Sequence, residues 1–439
     1  MRAVVLLCVL SACTPPEPAG LDIVLVSLDT TRADALSCYG NPRSTTPGHD
    51  RLAAAGTRFA WAFSSAPSTL SSHATVFTGL DAHGTQIVRN GYPLMASAET
   101  LTERLAGAGW DTIGVIGSSA LERPMGMDQG FRVWDEEFSI IRKQRHEATA
   151  KEVTDRALAR LAERTPGKPV FLFAHYFDAH SPYDAPEPYR NQWVRPGRAP
   201  IPGSGQGLLR PLADQIRVGA HDPADLQDVV DRYLGEVSYV DAEVARLLSQ
   251  LPRPERTLVV VFADHGDMFG EVPVRPFGHG GDLDFPVTHV PLLMRGPGVP
   301  ATVVERPVGL QDLAATILAL AGLPEDLGGS RSLVPTFTGG GGGRDYFMEA
   351  TQPDAPAKTP LWNNLGTERA LLRGAEMVIR TPWVPSEIGY AVAAGQPEVP
   401  VGPDLAAAIT AWDTKAPPWR DIDMSDTTVD GLKALGYIE

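Results

Sequence analysis

The stretch that decides the fold is residues 22–34, which read DIVLVSLDTTRAD. Its first seven residues form a nearly unbroken apolar, β-branched run, which is typical of a strand buried on both faces of a parallel sheet. Similar runs predict strands at VFLFAH (170–175), LVVVFA (258–263), residues 112–116 and residues 290–294. Amphipathic patterns predict helices over residues 99–108, 145–164, 225–251 and 311–321. This alternation predicts an α/β sandwich in which helices cover a large mixed, mostly parallel sheet.

Other features of the sequence predict a surface loop and the domain boundaries. Residues 185–223 are rich in Pro, Gly and Arg, which favours a long surface loop. A run of five glycines at 339–343 marks the expected seam to a small C-terminal α+β subdomain. We therefore predict a leader and tether over residues 1–20, a catalytic domain over 21–338 and a subdomain over 344–439. Within the subdomain, a hairpin is expected around Gly374, whereas residues 381–401 are Pro-rich and show little pattern.

Composition limits the class of protein. The chain has 439 residues, of which 43% are hydrophobic and 21% charged, as in an ordinary globular protein. Its formal net charge is −15, and no run of Lys or Arg follows the leader, so nucleic acid is not expected as a partner. No apolar run reaches the roughly 18 residues that a membrane-spanning helix needs.

The first residues predict export. Arg2 is followed by a short apolar run and then by LSAC at 10–13, a pattern of secretion signals. The tetrapeptide also resembles the bacterial lipoprotein box, in which the cysteine, here Cys13, is lipidated. The alternatives are an ordinary cleaved signal and a translation start placed too early in the sequence. The expected location is the outer membrane or periplasmic face, with membrane contact through the lipid anchor and the Pro-rich residues 14–20 as a tether.

Polar residues follow three of the predicted strands. Asp29 follows the first, His175 and His180 belong to HYFDAH after the second, and Asp264 and His265 follow the third. The carboxyl ends of parallel strands meet at one edge of a sheet, where ligands bind in open α/β folds. Together with His279 in FGHG, these carboxylates and imidazoles are the oxygen and nitrogen ligands of a divalent metal site.

Several spaced motifs resemble the sulfatase-like branch of the alkaline phosphatase superfamily. The matching stretches include DIVLVSLDTTRADALSCYGNPRSTTPGHDRLAAAGTRF, APSTLSSHATVFTGL, VVVFADHGDMFGE, GHGG and HVPLLMRGPG, in the family's order. The resemblance implies that Asp29, Asp264 and His265 bind a divalent metal, which is Ca, Mg, Mn or Zn. It also implies that Thr69 is the nucleophile and a further metal ligand. The stretch that follows, residues 72–77, is expected to start a helix whose N-terminal amides face an anionic ester.

The chain departs from the sulfatase pattern around the nucleophile. True sulfatases carry Cys or Ser there, which is oxidised to formylglycine, and an Arg four residues later. Here the stretch is TLSSH, so no formylglycine is expected and His73 stands in place of the Arg. The family's second Asp is Thr30, and its Gly-Lys-x-His segment falls near residues 117–120, which contain neither cation.

Threonine as the nucleophile instead resembles phosphodiesterase-like members and phosphoethanolamine transferases. In the transferases two histidines five residues apart follow a strand, as His175 and His180 do here. These two, His279 and His73 are the further catalytic candidates, because they can hold a second metal or protonate the leaving oxygen. Asp178 is expected either to bind a second metal or to cap the following turn.

We therefore expect a metal-dependent hydrolase that cleaves phosphate or sulfate esters of a small molecule, lipid or glycan through a covalent Thr69 ester. Two alternatives stay open at this point. One is a transferase that moves a phosphoethanolamine or glycerophosphate-type group. The other is a non-catalytic, surface-anchored binding protein on the same fold.

Overall fold

A computed structural model describes residues 20–87, 89–142, 145–198, 206–351, 367–381, 387–392 and 396–417. The predicted leader, Cys13 and most of the tether lie outside these residues. The strands are β1 (Asp22–Leu28), β2 (Thr57–Phe59), β3 (Ala62–Phe63), β4 (Asp111–Val115), β5 (Val133–Asp135), β6 (Ile140–Arg142), β7 (Arg145–Glu147), β8 (Val170–Tyr176), β9 (Thr257–Ala263), β10 (Met268–Phe269), β11 (Phe277–Gly278), β12 (His289–Val290), β13 (Leu292–Arg295), β14 (Thr302–Val304), β15 (Val308–Gly309), β16 (Asp345–Thr351), β17 (Thr367–Arg373), β18 (Glu376–Arg380), β19 (Glu387–Ala391) and β20 (Gln396–Val399).

The α-helices connect these strands and cover the sheet. They are α1 (Pro47–Ala55), α2 (Thr69–Thr78), α3 (Ala82–Thr85), α4 (Leu101–Gly107), α5 (Ala150–Ala162), α6 (Gln206–Arg217), α7 (Pro223–Ser249), α8 (Phe285–Thr288), α9 (Leu313–Leu320) and α10 (Pro403–Asp413). No helix in the described ranges is both long and apolar enough to cross a membrane.

The central sheet has eight strands in the order β14-β2-β13-β9-β1-β8-β4-β5. Strands β5, β4, β8, β1 and β9 run parallel, and β13 is antiparallel to both of its neighbours. The predicted mixed, mostly parallel sheet is therefore confirmed. Every residue of β1, β8 and β9 is buried, as their apolar sequences require.

Helices cover both faces of this sheet. Neighbouring residues of a strand point to opposite faces, and β8 shows which helices lie where. The Tyr176 hydroxyl is 2.8 Å from the Thr154 hydroxyl of α5, whereas the ring of His175 contacts that of His73 on α2. Helices α5 and α7 thus lie on one face, and α2, which packs with α4 and α9, lies on the other.

The structure corrects two details of the predicted elements. Residues 185–223 are not all loop, because α6 forms there and buries Leu212 and Ile216 against Phe269. The high Pro and Gly content of these residues favoured a loop, although their apolar residues have the spacing of a helix. The strand predicted over 290–294 is divided at Pro291 into β12 and β13, because proline cannot donate a ladder hydrogen bond.

The C-terminal part is a five-stranded antiparallel sheet in the order β16-β17-β18-β19-β20, with α10 packed on β17. The predicted hairpin is β17 and β18, which turn at Gly374 with φ +58°. Residues 381–401, in which little pattern was expected, contain β19 and β20. This sheet contacts the catalytic part directly, since the Glu349 amide donates to the Ser65 carbonyl at 3.0 Å.

Candidate active site

The register of the central strands brings the predicted carboxylates together. Leu28 pairs with Tyr176 on one side and with Ala263 on the other, so β1, β8 and β9 end at the same level. Asp29 and Asp264 are the next residues of their strands, and both are fully buried. Thr30, with φ +50°, turns the chain so that its amide donates to Asp264 Oδ1 at 3.2 Å. Such backbone is uncommon for a non-glycine residue, and here it lies beside the site.

Asp29, Asp264 and His265 form a candidate metal triad. One ligand atom from each lies within 4.8 Å of the others, and all three residues are buried. Asp264 Oδ2 and His265 Nε2 are buried and have no hydrogen-bond partner in the described part of the chain. Burial, and then the charge of Asp29, raises the pKa of Asp264. Two buried carboxylates that face each other destabilise one another unless a cation lies between them, so the donor set fits a divalent metal.

The orientation of His265 supports this arrangement. Its Nδ1 is 2.9 Å from the Gly266 carbonyl oxygen, which can only accept a hydrogen bond. Nδ1 therefore carries the proton, and the lone pair of Nε2 is directed toward Asp264 Oδ2, 3.5 Å away. A backbone contact of this kind at the second nitrogen is the usual way in which a protein orients a ligating imidazole.

Thr69 lies beside this triad. It is the first residue of α2, all ten residues of which are buried, and its hydroxyl donates to Asp29 Oδ2 at 3.3 Å. The first turn is fixed from outside the helix, because the Leu70 amide donates to Asn90 Oδ1 at 2.7 Å. The hydroxyl of Thr69 is thus directed at a metal-ligand candidate, and the amide end of a buried helix surrounds it.

His73 lies one turn further along α2, beneath Thr69. Its Nδ1 is 2.7 Å from the Thr69 carbonyl oxygen, so this nitrogen donates, and Nε2 then accepts from the Ser27 hydroxyl at 2.8 Å. Burial lowers the pKa of His73 to about 4, so the ring is neutral at neutral pH. The imidazole replaces the family's Arg without bringing its positive charge.

His175 occupies a similar buried position on the other side of Asp29. Its Nε2 is 3.2 Å from Asp29 Oδ2, and burial lowers its pKa to about 4. A second group of possible metal ligands, His73, His175 and Asp264, also lies within 4.8 Å. We favour the triad with Asp29 and His265, because both nitrogens of His73 are already engaged in hydrogen bonds.

His180 and His279 lie toward the opening of the site and are partly exposed. The rings of His180 and His279 are 5.0 Å apart and meet edge to face, and His279 lies 4.4 Å from the ring of His265. His180 Nδ1 donates to the Ser181 carbonyl at 2.8 Å. The three imidazoles thus extend from the candidate metal site toward solvent, where a substrate would enter.

The residues proposed for the site from sequence therefore occupy one continuous region around Asp29, Asp264 and Thr69. Sequence reasoning missed three partners in this region: Ser27, Asn90 and Asp267. Asp267 Oδ1 is 3.5 Å from His279 Nδ1, and Asp267 Oδ2 accepts from the Tyr183 hydroxyl at 3.1 Å. Asn90 has no motif of its own, so no local signal could have identified it.

Asp178 lies near Glu152 of α5 and Glu243 of α7, and its two expected roles stay predictions. Burial raises the pKa of Asp178 to about 7, and the backbone amide of Ala150, at the first residue of α5, lowers it in part. Asp178 therefore lies beside α5, on the face of the sheet opposite α2.

Comparison with known proteins agrees with this geometry. The Sulfatase family profile matches residues 22–323. The chain belongs to the sulfatase family. The uncharacterised sulfatase YidJ of Escherichia coli is 23% identical over 356 residues, covering 71% of this chain and 70% of YidJ. The arylsulfatase of Clostridium perfringens is 22% identical over 319 residues, covering 57% of this chain and 64% of that enzyme.

Solved structures share the fold. The phosphonate monoester hydrolase of Agrobacterium radiobacter superposes with a TM-score of 0.67 at 20% identity, covering 90% of this chain and 94% of that protein. As a sulfatase-family member, the protein is an ester hydrolase, and its family is metal-dependent.

Proposed function

We propose that this sulfatase-family protein is a metal-dependent hydrolase that cleaves sulfate or phosphate esters through a covalent intermediate on Thr69. The observation that carries the proposal is the contact between the Thr69 hydroxyl and Asp29, within the buried candidate metal triad. A threonine hydroxyl is a weak nucleophile at neutral pH and needs an activating partner of this kind. A divalent cation held by Asp29, Asp264 and His265 would supply that activation and attract the ester oxygens.

Residues of the chain would carry out the bond-making and proton-transfer steps. Thr69 Oγ1 bonds to sulfur or phosphorus while the bond to the leaving oxygen breaks, and the hydroxyl proton passes to Asp29. His180 or His279 donates a proton to the leaving alcohol. Water then gives a proton back to that histidine as it attacks the same sulfur or phosphorus, the bond to Thr69 breaks, and the proton on Asp29 returns to the threonine oxygen. Sulfate, or a phosphate monoester from a diester, is released.

Charge balance favours esters with one negative charge. The triad contributes two carboxylates, which one divalent cation neutralises, and His73 and His175 are neutral because burial lowers their pKa. Arg32, which follows β1, is committed to Asp34 and Glu271. We therefore propose sulfate monoesters and phosphate diesters, of a small molecule, lipid or glycan, rather than dianionic phosphate monoesters.

The test combines metal analysis with parallel assays on 4-nitrophenyl sulfate, bis(4-nitrophenyl) phosphate and 4-nitrophenyl phosphate. We expect metal-dependent turnover of the first or second substrate, with the third being the poorest. Thr69→Ala should lose turnover while it retains its fold and metal, and Thr69→Ser should retain part of the activity. Full activity in Thr69→Ala would refute the covalent intermediate, and a preference for the dianion would refute the charge argument.

We also propose that the protein is exported and attached to a membrane through lipidated Cys13. The support is the short apolar run that ends in LSAC and the Pro-rich stretch that follows it.

A further inference from the structure

The last three residues of the five-glycine run, Gly341 to Gly343, form one wall of a cavity at the junction with the C-terminal sheet. The cavity has a volume of about 230 Å³ and is lined by three arginines, Arg306, Arg331 and Arg344. The hydroxyl-bearing residues Ser332 and Thr336 also line it. We refer to this cavity as the arginine pocket. None of its lining residues is a catalytic candidate, so the site described above does not explain it.

The charges in the arginine pocket do not cancel. Asp312 is the one carboxylate among the lining residues, and it is already satisfied: it accepts from Arg344 Nη1 at 2.7 Å, from the Arg331 amide at 2.9 Å and from the Tyr346 hydroxyl at 2.8 Å. Arg306 donates to the Gly341 carbonyl. In the part of the chain that the structure describes, the guanidinium groups of Arg306 and Arg331 form no direct ion pair with a carboxylate, and the charge of Arg331 acts on Asp312 only at longer range. Two positive charges thus face one cavity in a chain whose net charge is −15.

The glycine loop adds backbone donors to these side chains. Gly341 has φ +80°, which side-chain-bearing residues rarely adopt, and a Cβ at Gly342 or Gly343 would meet no atom within 4 Å. The amides of Gly342 and Gly343 donate to no protein group within the described ranges. Open backbone amides combined with arginine forks are the donors that proteins use to bind tetrahedral oxyanions.

We propose that the arginine pocket binds a sulfate or phosphate group at a site separate from the catalytic one. Arg331 is exposed, so an anion can approach it from solvent. Arg306 and the glycine amides would contact the anion from the other wall. The same chemistry fits a free inorganic anion and an ester group carried on a glycan, and the experiment distinguishes the two.

The experiment is calorimetric titration of sulfate and phosphate into the full-length protein at low salt, after a chelator has removed metal. Without a cation, the catalytic carboxylates repel an anion, so the remaining binding belongs to the arginine pocket. We expect Arg331→Ala and Arg306→Ala each to weaken binding about tenfold or more, which corresponds to about 1.4 kcal/mol. Arg331→Lys should weaken anion binding less, because lysine retains the positive charge but lacks the paired donors of the planar guanidinium.

The matched control is Arg51→Ala, which removes an exposed arginine of α1 and changes the net charge equally. It should bind the anions as the wild type does, and so should Thr69→Ala. Equal affinities in Arg331→Ala, Arg306→Ala and Arg51→Ala would overturn the proposal, and so would the absence of any binding in the wild type. Since Arg331 is exposed, circular dichroism should show that its variants fold.

A second titration identifies the source of the anion. A sulfated disaccharide that binds more tightly than sulfate, with the same dependence on Arg331, would assign the pocket to an ester group on a glycan. Equal affinities would assign it to the free oxyanion. Binding of the unsulfated disaccharide with equal strength would overturn the role of the arginines.

Discussion

Replacing His73 with alanine should damage both stability and catalysis, because the imidazole is fully buried and hydrogen bonded at both nitrogens. The Thr69 carbonyl would lose its side-chain donor and the Ser27 hydroxyl its acceptor, at about 1–3 kcal/mol for each group left unsatisfied. The ring also packs edge to face on Phe173 and Phe262, at 5.7 and 5.9 Å. With the cavity that is left, we expect a loss of about 3–5 kcal/mol in the free energy of unfolding.

The activity of His73 variants distinguishes a role in positioning the nucleophile from a direct role in the chemical step. His73 holds the first turn of α2, and a displacement of the nucleophile by about 1 Å can lower the rate about 100-fold. In His73→Asn the amide nitrogen takes the place of Nδ1, so the donor to the Thr69 carbonyl remains and only the Ser27 contact is lost. We expect this variant to lose about 1–2 kcal/mol of stability and to retain a measurable kcat with KM little changed.

Urea unfolding, metal analysis and steady-state kinetics on the three variants Ser27→Ala, His73→Asn and His73→Ala test this reasoning. Ser27→Ala is the matched control, because it removes only the partner of Nε2. The reasoning is refuted if His73→Asn folds stably, binds metal and is nevertheless as inactive as Thr69→Ala. In that case the imidazole would act on the substrate itself.

Four further outcomes follow from the geometry. Asp264→Asn should lose the bound metal and, like chelation of the wild type, lower both Tm and turnover, as measured by calorimetry and metal analysis. His279→Ala should lose more activity on alkyl esters than on 4-nitrophenyl esters, because only poor leaving groups need a proton; equal losses would contradict a general-acid role. Burial raises the pKa of Glu368 to about 8. The folded state therefore holds a proton that the unfolded state releases. As a result, the free energy of unfolding falls as pH rises from about 4.5 to 8. Glu368→Gln, which retains an acceptor for the Leu283 amide, should therefore be more stable than the wild type at pH 8 by about 1–3 kcal/mol in urea titrations. Cys13→Ser should abolish metabolic labelling with palmitate and release the protein from the membrane fraction, whereas retention there would contradict the lipid anchor.

The parts of the fold that could be predicted from sequence are those whose residues are buried on all sides. β1 was predicted with its observed bounds, Asp22–Leu28, because a strand covered on both faces has a continuous apolar run. Helix α6 was missed, since Pro211 and Gly207 contradict the local preference while Leu212 and Ile216 pack on Phe269. Tertiary packing, which a local pattern does not contain, determines such an element.

The candidate site, too, could be predicted from sequence only in part. Asp29, Asp264 and His265 could be placed together because Asp29 directly follows β1, the pair Asp264 and His265 directly follows β9, and the ends of such buried parallel strands meet. The roles of His73 and His175 were not accessible, because they depend on which atoms the ring nitrogens contact. The same residue types at the same positions could equally have faced the substrate, and only the distances to Ser27 and to Asp29 distinguish the two arrangements.

The replacement of a cation by His73 is consistent with its surroundings and has a consequence for substrate choice. An arginine at this fully buried position would need carboxylate partners, yet Asp264 Oδ2, 3.7 Å from His73 Nδ1, belongs to the candidate metal triad. A neutral imidazole satisfies the Thr69 carbonyl without competing for that carboxylate. The transition state then depends on the metal and the α2 amides for its stabilisation, with a neutral imidazole at position 73 in place of a guanidinium. Restoring the charge with His73→Arg should therefore weaken metal binding rather than improve sulfate turnover, and a gain in turnover with metal content unchanged would show that the missing cation, and not the metal, limits this site.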